Sequence, residues 1–116
     1  LGFPSAADDF IDKHLDLNEY LIKRPSSTYF ARAEGDSLKD ICINHGDLLI
    51  IDRMAERLHR SVVIAAINGE LTCKILDLHN SRLLSANNQF PPITISGQET
   101  LLIEGVVTYS IIRHLQ

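Results

Sequence analysis

With 116 residues, 45% of them hydrophobic and 22% charged, the chain has the balance of one globular domain around a single modest core. A net charge of −4 and the absence of any Lys/Arg cluster disfavour direct duplex DNA binding, so any link to nucleic acid is expected through a protein partner. No apolar run approaches the ~20 residues that cross a bilayer and no signal-peptide pattern stands at the start, so no membrane role and a cytoplasmic location are expected.

The first 25 residues read as an arm with short helices. Ser5 and Asp8 form a capping-box pattern, with Ala7, Phe10, Ile11, His14 and Leu15 behind it at helical spacing. Leu17, Tyr20 and Leu21 suggest a second short helix, which Pro25 closes. From residue 26 to 116 the pattern is that of a mostly-β body. Strands are expected at Thr28–Ala33, Asp47–Asp52, Val62–Ile67, Leu71–Leu78, Arg82–Ser85 and Gly105–Arg113, all rich in β-branched and aliphatic residues. Asn68-Gly69 joins two of them as a hairpin, because both residues tolerate the positive φ of a type I′ turn. Pro91-Pro92 marks a loop. The last strand is apolar on both alternating faces (Val106, Val107, Tyr109, Ile111, Ile112), which places it in the core or at an interface.

Cys42 and Cys73 sit in apolar stretches without C-x-x-C spacing and read as buried free thiols. The five histidines, His14, His45, His59, His79 and His114, show no metal-ligand spacing, so neither a metal nor another cofactor is expected. Gly35-Asp36-Ser37-Leu38 follows an apolar strand, and its glycine allows a sharp turn that presents a serine hydroxyl. A plain turn serine is the alternative. The same four residues name a group of lipases and esterases, but those need a downstream Asp-x-x-His, and the chain has none.

Lys74 lies on the returning strand of the Asn68-Gly69 hairpin, between Cys73 and Ile75. Either its ammonium snorkels to solvent or it is a buried neutral amine acting as general base. Moving a lysine pKa from ~10.4 to ~7 costs about 4.6 kcal/mol of differential solvation. Such an amine takes the proton of Ser37 directly, a Ser-Lys dyad without histidine.

Thr28-Tyr29-Phe30, Gly35-Asp36-Ser37, Gly46 to Ile50, Val63-Ile64-Ala65 and Asn68-Gly69-Glu70 through Lys74 resemble the self-cleaving domain of the LexA/UmuD superfamily. Ser37 and Lys74 stand 37 positions apart, the dyad spacing associated with UmuD proteins. Gly2 to Ser5, Asp16-Leu17-Asn18, Pro92 to Ser96 and Gly105-Val106-Val107 resemble the UmuD branch in its processed form, over essentially the whole chain.

The resemblance implies a LexA C-terminal-type β fold, Ser37 as nucleophile and Lys74 as general base. Backbone amides of Asp36 and Ser37 are inferred from the turn as oxyanion donors. Leu1-Gly2 matches the cleaved pair, which suggests the form after cleavage, although Leu1 replaces the family's small residue. Leu38 stands where most relatives have Met, and His59-Arg60-Ser61 where they tend to have Gly-Asp. The implied function is that of a mutagenesis protein of the SOS response, the accessory subunit of an error-prone translesion DNA polymerase. The implied partners are a second copy in a homodimer, a UmuC-like Y-family polymerase subunit and the RecA filament. The alternative is the self-cleavage and dimerisation domain of a LexA-type or phage repressor.

Overall fold

The computed structural model describes residues 14–95 and 101–115. The capping box at Ser5 and the Leu1-Gly2 pair lie outside them. The described chain opens with one helical turn, α1 (Leu17–Leu21). Asp16 caps it, its Oδ1 accepting from Asn18 N at 2.9 Å, and Ile22 ends it in extended conformation. Pro25 does not close this helix. It opens a separate 3₁₀ turn, Pro25–Ser27, where its fixed φ suits a first helical position. Arg24 and Ser27 tie this stretch to the body through buried Asp52, at 2.7 and 2.8 Å.

The body is one antiparallel seven-stranded sheet: β1 (Thr28–Arg32), β2 (Leu48–Asp52), β3 (Val62–Ile67), β4 (Glu70–Asp77), β5 (Arg82–Leu84), β6 (Ile93–Thr94) and β7 (Leu101–Ile111). Their order across the sheet is β1-β2-β7-β3-β4-β5-β6. The mostly-β expectation holds. β2 begins one residue later than its apolar run implied, because Asp47 N donates to Asn44 O at 3.1 Å in the preceding turn, which its carboxylate also caps through Asn44 N at 2.8 Å. Asn68 and Gly69 have φ of 52° and 82°, and Ile67 pairs Glu70 across them, as a type I′ hairpin requires.

Two differences stand out. β6 escapes the sequence pattern because it is only two residues long. β7 starts four residues before Gly105, which sits inside the strand beside a register shift rather than at its start. A Cβ on Gly105 would lie 2.7 Å from Ile51 Cγ2, so the glycine permits β7 to pass tightly over β2.

Val62–Ile67 reads as an unbroken apolar run because both faces of β3 are covered. Ile64 joins a core cluster with Leu38, Leu49, Ile51 and Ile75, while Val63 and Ala65 join a second one with Leu76, Leu83 and Val106. Both cysteines are free thiols, but only Cys73 is partly buried. Cys42 is exposed, correcting the expectation of burial: it ends the Lys39–Ile41 3₁₀ turn in the left-handed region, at φ 64°.

Candidate active site

Ser37 follows a turn made by Gly35, whose φ of 78° is costly for any residue with a Cβ. Three contacts hold this turn. Gly35 N donates to His45 Nδ1 at 3.2 Å, Asn87 Nδ2 donates to the Asp36 carbonyl at 2.9 Å, and Asp40 N donates to Ala86 O at 2.8 Å. Leu38 is 3% exposed and plugs the first core cluster, anchoring the residue beside the serine. Met in that place has similar volume, which is why Leu serves. Ser37 itself is half-buried and lines a cleft of about 340 Å³. Ala33, Ile43, Leu49 and Ile64 give the cleft apolar walls, and Leu71, Thr72 and Cys73 bring it alongside β4. The amides of Asp36 and Ser37 make no hydrogen bond among the described residues.

β4 also supplies Lys74. Its snorkelling alternative fails: the residue is 8% exposed, paired with Val63 across the ladder and next to the second core cluster. Lys74 Nζ donates to Ser85 Oγ at 2.8 Å and lies 5.2 Å from the centre of the Phe90 ring. Burial pushes the Lys74 pKa below the ordinary lysine value, and the neighbouring Cys73 opposes this only partly. Burial pushes the Cys73 thiol up to about 12, so at neutral pH it is an inert thiol rather than a competing nucleophile. No hydrogen bond joins Ser37 and Lys74 among the described residues: the serine lines the cleft while the amine is engaged by Ser85.

Among the described residues, one edge of the cleft is unpaired strand. β3 pairs with β4 from Glu70 to Ile75, whereas β5 on the other side begins pairing only at Ile75. The stretch before Lys74 therefore presents backbone donors and acceptors beside Ser37, an edge onto which an extended peptide can add as a strand.

The Peptidase S24-like family model matches residues 1–108. The chain belongs to the Peptidase S24-like family. It is 42% identical over 112 residues to Protein ImpA of Escherichia coli, covering 97% of this chain and 77% of that one. It is likewise 42% identical over 115 residues to Protein MucA of Salmonella typhimurium, covering 97% and 79%. A LexA repressor of Thiobacillus denitrificans is 36% identical over 108 residues, covering 90% of this chain but 54% of the repressor. These relationships place the chain in the UmuD branch of the LexA/UmuD superfamily of self-cleaving serine peptidases.

Ser85 was not visible to sequence reasoning. A serine 11 positions after a lysine carries no signal until the β4–β5 pairing, Ile75 with Leu84, brings the next residues on each strand opposite one another. The histidines fall as surface and turn residues: His45 and His59 accept backbone amides, and His59 stacks on His79 with ring centres 3.7 Å apart.

Proposed function

We propose that the chain is the cleavable domain of a mutagenesis protein of the SOS response, with Ser37 as nucleophile and Lys74 as general base. The observation that carries this reading is a buried lysine amine, with a lowered pKa and no carboxylate partner among the described residues, on the strand that borders the serine cleft. A peptide laid along the open edge of β4 brings a carbonyl carbon to Ser37. The Ser37 hydroxyl adds to it while its proton passes to neutral Lys74, and the oxyanion is met by the Asp36 and Ser37 amides. Lys74 then returns the proton to the leaving amine, and water hydrolyses the resulting ester. The resemblance marks the bond between Leu1 and Gly2 for cleavage.

In this reading the cleaved product is an accessory subunit of an error-prone translesion polymerase, partnering a Y-family catalytic subunit. RecA filaments stimulate the cleavage. Coverage supports it over the repressor alternative: the chain spans 77% of ImpA but only 54% of the LexA repressor. The test is Ser37→Ala in the full-length precursor, with activated RecA. Cleavage should fall by at least about 10³-fold with the fold unchanged by circular dichroism. Cleavage at the normal rate would sink the dyad.

The product is expected to be a homodimer. Phe30, Tyr109 and Ile111 are 54%, 39% and 42% exposed, and they share one face of β1-β2-β7, with Ile50 between Phe30 and Tyr109. Sedimentation equilibrium at micromolar concentration should give a dimer. Ile111→Asp should shift it toward monomer without unfolding it, and a strictly monomeric wild type refutes the dimer.

A further inference from the structure

The amine of Lys74 has a hydrogen-bonding partner that neither the sequence pattern nor the dyad mechanism calls for. Ser85 stands one step beyond β5, opposite Lys74, and its Oγ accepts from Nζ at 2.8 Å. The Phe90 ring covers the same amine at 5.2 Å. Among the described residues nothing charged faces it from the elements around it. Val63 lies across the ladder on β3, Ser85 and Phe90 come from the β5 side, and Cys73 on its own strand is a neutral thiol at neutral pH.

We infer that Ser85 is a positioning residue for the base, holding the Lys74 amine in place through an uncharged hydroxyl. The inference rests on Lys74 being the general base. The choice of partner matters physically. A buried amine left without any acceptor is costly and free to change rotamer. A carboxylate would fix it but would stabilise the ammonium and disable it as a base near neutrality. A hydroxyl fixes the direction of the long side chain and accepts from the ammonium only modestly, so the proton remains available for exchange. The same hydroxyl can donate to the amine lone pair once the amine is neutral.

The test uses the chain itself as wild type, Ser37→Ala, Ser85→Ala and Ser85→Thr. Two quantities are read between about pH 6 and 10, the span of the reference His and Lys pKa values. The first is the rate at which a fluorophosphonate probe labels Ser37, located by peptide mass spectrometry. The second is the titration midpoint of Lys74, followed by NMR of its ¹³Cε.

Ser85→Ala should lower the plateau labelling rate about tenfold, because the amine loses its fixed direction. It should also move both midpoints down by as much as about one pH unit, because an acceptor for the ammonium is gone. Ser85→Thr, which keeps the hydroxyl, should restore rate and midpoint together. Wild-type rate and midpoint in Ser85→Ala would overturn the inference. So would a reduced rate with an unmoved midpoint and no rescue by threonine, which describes a packing role. Failure of the dyad looks different: wild type would show no labelling that Ser37→Ala removes. The ¹³Cε midpoint then decides alone, with a downward shift in Ser85→Ala supporting the hold on the amine and no shift overturning it.

Discussion

Strand β4 carries two buried ionisable side chains three residues apart, and their surroundings are opposites. Asp77, 4% exposed, has both oxygens fully engaged. Oδ1 accepts from the amides of His79 and Asn80 at 3.1 and 3.2 Å, while Oδ2 accepts from Asn80 Nδ2 at 3.0 Å and Arg82 Nε at 2.9 Å. His59 Nδ1 stands 3.7 Å away. Lys74, 8% exposed, has one neutral hydroxyl and the face of a ring. A buried charge with every lone pair answered is a structural joint, here closing the turn from β4 to β5. A buried amine with one neutral partner is poorly stabilised as an ion, which is the condition a general base requires.

The widest separation of the two comes from removing each in turn. Lys74→Met keeps the stem and discards the amine, so cleavage should fall by about 10³-fold or more. Its melting temperature should stay level or rise, since the cost of burying the amine disappears. Asp77→Ala should do the reverse. It leaves Arg82, Asn80 and two amides without their acceptor, and the melting temperature should drop on the order of 5–10 °C for a domain this size. The dyad should survive where the domain remains folded. A Lys74→Met protein that still cleaves, or melts as early as Asp77→Ala, would erase the distinction.

Acid and base should separate them again, with a smaller effect. Hydrogen bonds from Asn80 and Arg82 hold the Asp77 pKa far below the usual carboxylate value, outweighing the opposing effect of burial. A depressed carboxylate stabilises the fold fully above its unfolded pKa of about 3.9, and that contribution is lost as pH falls through the folded value. Lys74 works at the other end. Its folded pKa is also lowered, but for an amine this means the unfolded chain binds more protons between the folded value and about 10.4. Stability attributable to Lys74 should therefore rise with pH across that window, and the rise should vanish in Lys74→Met. RecA-independent cleavage should climb below that window, as the folded amine deprotonates, by up to about tenfold per pH unit below its pKa, and level off within the window. A cleavage profile flat from about pH 6 to 10 would rule out the amine as base.

How much of this contrast is legible in sequence depends on the range of the interactions. Asn68-Gly69 announces its hairpin because positive φ is a property of the two residues themselves, and that hairpin alone puts Lys74 on a strand opposite Val63. The serine turn is legible for the same reason, through Gly35. Burial of Lys74 is not legible in the same way, because it depends on Phe90 and Ser85, which arrive from beyond the β4–β5 turn. The Asp77 joint is not legible although its partners lie within five residues, because Asp-Leu-His-Asn-Ser reads equally well as a solvated turn. Gly105 misled in the other direction. In sequence it resembles the start of a strand, and only the close approach of Ile51 explains a glycine inside one.

The smallest effect tests which partner makes the Asp77 joint. Arg82 forms the one arginine ion pair to Asp77 among the described residues, yet its side chain is 41% exposed against 5% for Asp77. A pair half open to water is weakened by solvent and by the entropy of fixing the long side chain. Asn80 and the two turn amides, by contrast, remain in place when the guanidinium is removed. Arg82→Gln should therefore lower the melting temperature by only a small part of the loss in Asp77→Ala. The gap from wild type should narrow further in about 1 M salt, where the screening length falls to about 3 Å. Cleavage should be unaffected. If Arg82→Gln destabilises as much as Asp77→Ala, the joint is an ion pair after all, and Asp77 depends on a single charged partner much as Lys74 depends on a single hydroxyl.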